Sequence, residues 1–233
     1  MKKKEAQTES TVKIALKIKA FEREEVMLKQ AGFNHVVLTD EKSGKSEEFE
    51  YDQIFDIRQS NENVYEYLKQ STVGRVFDNT NCCLVCIGQA GSGKSFTLFG
   101  NDARLGMNSI KTDFNESTKN IGIVQKVYDG LVESSLDFQD NKEYQIVFSM
   151  LEVQKENVHD LLVGFEDAVK SGVKREHDDK NARQSLENLE VYESANGQLM
   201  IKNLSSYTVN SEEELVQLMA YGVYFIDEEQ SQS

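Results

Sequence analysis

Residues 12–19, VKIALKIK, alternate apolar and cationic side chains with a period of two, the pattern of a half-buried strand. NHVVLT and EEFEYD flank the polar stretch DEKSGKS, which predicts a β-hairpin. Asn61 stands where it caps a helix bearing Val64, Leu68, Val73, Val76 and Phe77. The run NCCLVCI is apolar at successive positions and predicts a strand buried on both faces. Residues 101–120 are polar and irregular, a loop. Ile123, Val124, Val127, Tyr128, Leu131 and Val132 then fall on one helical stripe. YQIVFSMLEV predicts a strand and ENVHDLL a short helix. LEVYES and QLMIKNL bracket Asn196-Gly197, a hairpin turn signal. Ser211 and Glu214 have capping-box spacing ahead of Leu215, Leu218 and Met219, with Gly222 as a helix stop.

Composition narrows the class. With 233 residues and 39% hydrophobic content, the chain can bury one substantial core or two small ones. The net charge of −14 excludes a polyanion-binding face, so nucleic acid is not an expected partner; only the tip MKKK is basic. No apolar run approaches the roughly 20 residues that span a bilayer, so no membrane association is expected. MKKKEAQTES has no apolar segment behind it and does not have the form of a signal peptide. Cys82, Cys83 and Cys86 share one apolar run with no disulfide framework. Both features predict a cytoplasmic protein. Residues 1–10 and 224–233 are expected as tails and 164–188 as a charged surface loop, leaving 11–223 as the folded part. Proline is absent, so any motif that ordinarily carries proline must stand here in altered form.

The chemistry concentrates at Gly88-Gln89-Ala90-Gly91-Ser92-Gly93-Lys94-Ser95, which fits G-x-x-x-x-G-K-[ST]. Glycines let the backbone curl until several N–H groups face one anion. A helix beginning at Lys94 aims its positive end at the same point. This pattern predicts that Lys94 reaches the β- and γ-phosphates of a nucleotide and that the Ser95 hydroxyl ligates Mg²⁺. A strand before the motif and a helix after it supply the required context; the plainer alternative is a turn that only reverses the chain.

Other candidate chemistry is weaker. Gly44-Lys45-Ser46 repeats the GKS, but Thr39 stands where the first glycine belongs, and its neighbours are the strands of a hairpin. Adjacent Cys82 and Cys83 point to opposite faces of a strand and do not share a tetrahedral metal site; small buried apolar residues are expected there. His35, His159 and His177 pair with no nucleophile at a recognisable spacing.

The motif has more than generic neighbours. GQAGSGKSFTLFG resembles the phosphate-loop signature of the kinesin motor domain family, with Ala90 and Ser95 replacing threonines and Phe96 continuing the helix. YDQIF with NVYEY, VKIALKIKAF, GIVQK, FSMLEVQKENVHDLL and the final hairpin and helix resemble family segments in the same order, over residues 12 to about 222. The resemblance implies an α/β fold of the kinesin-type P-loop NTPase class, with a mainly mixed central sheet, helices on both faces and small β-hairpins. It implies ATP or ADP with Mg²⁺ as ligands, a microtubule as partner, microtubule-based movement and a place on the cytoskeleton.

Departures from the family set the limits of these expectations. Lys17, Lys19 and Ala20 occupy the positions where the family carries two arginines and a proline beside adenine; lysine lacks the stacking guanidinium. Tyr65 lies in a segment that can contribute a stacking ring instead. The family's SSR and DxxGxE switch motifs do not occur in these residues. Because phosphoryl transfer relies on positioning and charge stabilisation, the expectation is a chain that binds ATP without completing hydrolysis alone. The same reading predicts a sheet incomplete on its C-terminal side, unpaired edges on NCCLVCI, and the remaining half of the motor as a partner. A non-catalytic interaction module that keeps the fold is the alternative. A small-molecule kinase fits less well, since those enzymes place the loop on their first strand.

Overall fold

The computed structural model describes residues 12–19, 28–40, 43–100, 121–137, 143–171 and 188–223. The predicted tails at 1–10 and 224–233, the loop at 101–120, Ala20 and His177 lie outside them, as does most of the loop at 164–188. The chain divides into two units, residues 1–63 and 64–233.

In the first unit, β1 (Ala15–Lys17) pairs in parallel with β5 (Gln53–Phe55). The strand predicted over 12–19 is therefore shorter than its pattern. Ile54 and Phe55 are buried, which anchors this pair. A three-stranded antiparallel sheet has the order β2 (Leu28–Gln30), β3 (His35–Thr39), β4 (Ser46–Glu50). The predicted hairpin is β3–β4. Gly44 takes a φ of +68°, and its N–H donates to the Asp40 carbonyl at 2.8 Å. The second GKS is thus the turn of this hairpin.

Helix α1 (Asn61–Lys69) starts at the predicted cap residue itself, which is thus its first helical residue. The Ser60 N–H and hydroxyl both donate to Asn63 Oδ1, at 2.9 and 3.3 Å, so Ser60 and Asn63 close the helix start. Asn61 serves elsewhere, as described below.

In the second unit, the single helix predicted over 61–77 is two. The Leu68 carbonyl accepts the N–H groups and the hydroxyls of both Ser71 and Thr72, at 2.9–3.0 Å. Such hydroxyls compete with the helical ladder, and α2 (Val73–Val76) resumes after the break. The run 82–87 departs further from expectation. It joins no strand ladder among the described residues, and Val85 and Ile87 are 67% and 90% exposed. Cys82 and Cys83 are likewise exposed and Cys86 half-buried, not the buried residues predicted. Apolar character on both faces specifies a central strand only where neighbours exist to pair with it.

Helices α3 (Lys94–Phe99) and α4 (Ile123–Asp137) follow the predicted pattern. The predicted strand 144–153 is divided into β6 (Val147–Phe148) and β7 (Leu151–Gln154). ENVHDLL is not a helix. It forms β8 (Asn157–Asp160), a tight antiparallel hairpin with β7 in which Lys155 holds a φ of +58°. Its outer edge is also paired: Val158 N–H donates to Asn188 Oδ1, and Leu189 N–H to the Val158 carbonyl, both at 2.7 Å. Strand pairing on both sides overrides the local helical spacing. The start of the predicted 164–188 loop is helix α5 (Phe165–Ser171). Phe165 packs edge-on against Tyr207 and Tyr221, which gives that segment its anchor.

Strands β9 (Val191–Glu193) and β10 (Leu199–Ile201) form the predicted hairpin, with Gly197 at φ +78°. β11 (Tyr207–Thr208) pairs with β6, and α6 runs from Glu212 to Val223. Ser211 Oγ accepts the Glu214 N–H at 3.2 Å, half of the predicted capping box. The Glu214 carboxylate reaches back to Asn210 N–H rather than to Ser211. Gly222 does not stop the helix; it is buried within it, where any Cβ would meet Met150 Sδ.

Parallel and antiparallel ladders both occur, and the α/β class holds. The ladders are five separate sheets of two or three strands among the described residues. The core of the second unit gathers Met150, Leu161, Leu162, Leu215, Leu218 and Met219 between α6 and the β7–β8 hairpin. Buried Asp160 ties this region together, accepting Leu162 N–H and Ser205 N–H at 2.8 Å each.

Two predictions follow from this packing. A Cβ on Gly122 would meet backbone atoms of Leu98 and Phe99, which cannot swing aside. Gly122→Ala is expected to destabilise by about 1–3 kcal/mol, read as a lower urea midpoint; an unchanged midpoint would show that the two segments are not tightly docked. Burial, and then the carboxylates of Glu212 and Glu133, raise the pKa of Asp129 against the opposing pull of Lys126. An acid raised in the folded state opposes folding when ionised. Asp129→Asn should therefore melt higher than the parent at neutral pH. That advantage should shrink as pH falls through the raised pKa and the parent's carboxyl protonates; a difference independent of pH would refute the assignment.

Candidate functional site

The loop at 88–95 is built by backbone geometry. Gly91 and Gly93 take φ of +72° and +101°, a region where an L side chain is strained. Gly88 has a different reason to be glycine, since its Cβ would stand 2.5 Å from Ser92 Oγ. A hydrogen bond from Ser92 N–H to the Gln89 carbonyl, 3.2 Å, closes the turn. Gly93 leads directly into α3, whose first intrahelical bond is Thr97 N–H to Gly93 O at 2.9 Å. The amides of Lys94 and Ser95 precede that bond and have no carbonyl partner within the helix.

Lys94 is folded across this cradle. Its ammonium donates to the carbonyls of Gly88 at 2.8 Å and Gln89 at 2.7 Å. The cation is thereby fixed at the mouth of the loop by the loop itself. Gln89, Ala90 and Ser92 are exposed, Ser95 and Phe96 half-buried on α3. The arrangement offers one ammonium, the amides of Lys94 and Ser95 at a helix N-terminus, and a hydroxyl at Ser95. That donor set suits a polyphosphate with a hard divalent cation, Mg²⁺, at the hydroxyl.

The far end of α3 is clamped. Gly100 N–H donates to the Phe96 carbonyl at 3.0 Å, and Gly100 bridges Ile121. Gly122 lies directly on the last turn of α3. Gly122 was not singled out from the sequence; a glycine at the mouth of a helix is an ordinary cap signal, and its close approach to another helix is written only in three dimensions.

The remaining predicted site residues are placed differently. Lys17, in β1 of the first unit, is half-buried and donates to Oδ1 of buried Asn61 at 2.5 Å. Asn61 thus acts as the acceptor for this lysine rather than as a helix cap, a role with no periodic signal. Lys19 is exposed. Tyr65 is 6% exposed, and its hydroxyl end packs against Gly130 of α4.

Beside the run 82–87 lies a cavity of about 490 Å³ lined in part by Leu68, Val73, Val76, Cys82, Leu84 and Ile123. Cys82 Sγ donates to the Ser71 carbonyl at 3.3 Å and pins the start of the run to the break between α1 and α2. Among the described residues, no helix is long and apolar enough to cross a membrane.

Comparison with known proteins places these features. The chain is 24% identical over 212 residues to Kinesin-like protein KIP1 of Eremothecium gossypii, covering 86% of this chain and 18% of that protein. Against Kinesin-like protein KIP1 of Saccharomyces cerevisiae the identity is 27% over 184 residues, covering 77% of this chain and 15% of that one. The chain therefore spans less than a fifth of these relatives. In fold it is similar to a solved chain described as "Structure of a fast kinesin: Implications for ATPase mechanism and interactions with microtubules". The TM-score is 0.68 at 21% identity, over 91% of this chain and 52% of that one. The family model described as Kinesin motor domain matches residues 1–230, and the chain belongs to the kinesin motor domain family.

Proposed function

We propose that residues 88–96 bind ATP or ADP with Mg²⁺, as the nucleotide-binding part of a microtubule-based motor domain. The observation that carries this reading is the Lys94 ammonium held over a loop of left-handed glycines at the start of α3. In this reading Lys94 contacts the β- and γ-phosphates, the loop amides hold the phosphate oxygens, and Ser95 Oγ ligates Mg²⁺. The family resemblance adds Lys17, Lys19 and Ala20 as contacts on the adenine side. Tubulin is the proposed partner through the family, in the cytoplasm and on the cytoskeleton.

Binding and turnover are separable here. The 233 residues contain neither an SSR nor a DxxGxE segment, the groups by which the family senses and attacks the terminal phosphate. These residues alone are therefore proposed to hold nucleotide without completing hydrolysis. The exposed, unladdered run 82–87 supports a further element of the reading: its edges receive strands from the remaining half of the motor, whether supplied in the same polypeptide or by a second one. The same observation favours a second reading, an interaction module that keeps the fold without catalysis.

Lys94→Ala should abolish ATP binding in a fluorescence or calorimetric titration; unchanged affinity would overturn the loop assignment. The 233 residues alone should show no microtubule-stimulated phosphate release, and steady turnover would sink the division between binding and hydrolysis. Partner binding that ignores nucleotide and survives Lys94→Ala would favour the interaction module.

A further inference from the structure

Among the described residues nothing pairs with the outer edge of the first unit's three-stranded sheet, and that edge is chemically specific. All five residues of β4 are exposed. Asp40 N–H donates to Lys45 O, and Tyr51 N–H to Asn34 O, both at 2.9 Å. In an antiparallel ladder the bonded pairs alternate, so the register makes Leu38–Glu47 and Val36–Phe49 the bonded pairs between them. The backbone N–H and C=O groups of Ser46, Glu48 and Glu50 therefore point away from β3, along an edge that no other described strand joins.

The side chains on that strand are sorted by face. Glu48 and Glu50 lie on one face, Glu47 and Phe49 on the other, beside Leu38. Phe49 and Leu38 remain 39% and 42% exposed. Glu50 is oriented by Asn34 Nδ2, 2.9 Å from Oε1. Three carboxylates on five residues repel a second copy of the same strand, which is how natural sheets protect an edge. They do not repel a cationic strand. The strand that matches has cations on the face of Glu48 and Glu50 and apolar side chains on the face of Phe49.

The geometry points to β4 as a docking edge for an extended basic segment of another protein, with alternating cationic and apolar residues, added as a further strand by backbone pairing. The commitment to a basic partner rests on charge complementarity at Glu47, Glu48 and Glu50. The inference is independent of nucleotide binding, and Lys94→Ala is expected to leave it unchanged.

The test uses the full chain and a synthetic peptide of about eight residues alternating lysine and valine, with a glutamate–valine peptide as control. Amide hydrogen exchange is followed by NMR. The lysine peptide should slow exchange at Ser46, Glu48 and Glu50 and leave Glu47 and Phe49, already bonded to β3, little changed. The glutamate peptide should bind at least about tenfold more weakly, and affinity should fall as salt rises. Glu48→Pro removes an outward N–H without breaking the β3–β4 ladder and should abolish the protection. If that variant fails to fold, the doubly reversed Glu48→Lys, Glu50→Lys chain decides, and its preference should switch to the glutamate peptide. Binding without protection of the outward amides, equal binding of both peptides, or an unswitched preference would each overturn the proposal.

Discussion

The placement of the phosphate loop depends on one close backbone approach, that of Gly122 to the last turn of α3. With no side chain between them, the N-terminus of α4 lies against the carbonyl of Leu98 and the backbone of Phe99. Gly100 and Ile121 bridge beside this contact. Helix α4 is in turn buried at Ile123, Gln125 and Tyr128, and Tyr128 belongs to the core built on Met219 and Leu218 of α6. The rigidity of the core thus reaches the loop through its exit helix. At the entrance, residues 82–87 join no ladder among the described residues and are tied at their start by the Cys82 thiol. Among the described residues, the packed core braces the loop on its exit side.

That asymmetry explains which parts of the site were legible in the sequence. The loop itself is a local object. Left-handed backbone at Gly91 and Gly93, the short Gly88–Ser92 approach and the helix at Lys94 all follow from residue types at fixed spacing, so the motif described them well. Hairpin turns at Gly44 and Gly197 were legible for the same reason. Features set by distant partners were not. Asn61 looks like a cap and serves as the acceptor of Lys17, across 44 positions of sequence. Nothing near Tyr65 in the sequence announces that its hydroxyl end packs on Gly130, 65 positions away. ENVHDLL has helical spacing, yet β7 on one side and Asn188 with Leu189 on the other make it a strand. In each case a long-range contact decides between two local states of similar free energy.

Gly222 shows the same limit in reverse. Read locally, a glycine after Leu218 and Met219 ends a helix. In the fold the helix continues, and the missing side chain makes room for Met150. A glycine in a sequence reports that a side chain is not tolerated; whether the reason is a backbone angle or a neighbour's proximity is decided by packing. Gly91 and Gly93 belong to the first kind, Gly122 and Gly222 to the second.

The outer side of β4 and the run 82–87, neither of which joins a further ladder among the described residues, differ in one respect. β4 carries Glu47, Glu48 and Glu50, and charge discourages indiscriminate pairing. The run 82–87 contains no charge in six residues and has Val85 and Ile87 bare. A segment of that length and composition left open is an aggregation hazard, and a sequence meant to remain exposed carries gatekeeper charges, as β4 does. The absence of any such device at 82–87 is what the proposed reading, a strand that receives neighbours on its edges, requires. On that proposal the added strands would brace the entrance of the phosphate loop as α4 braces its exit, and so link completion of the sheet to the rigidity of the cradle around Lys94.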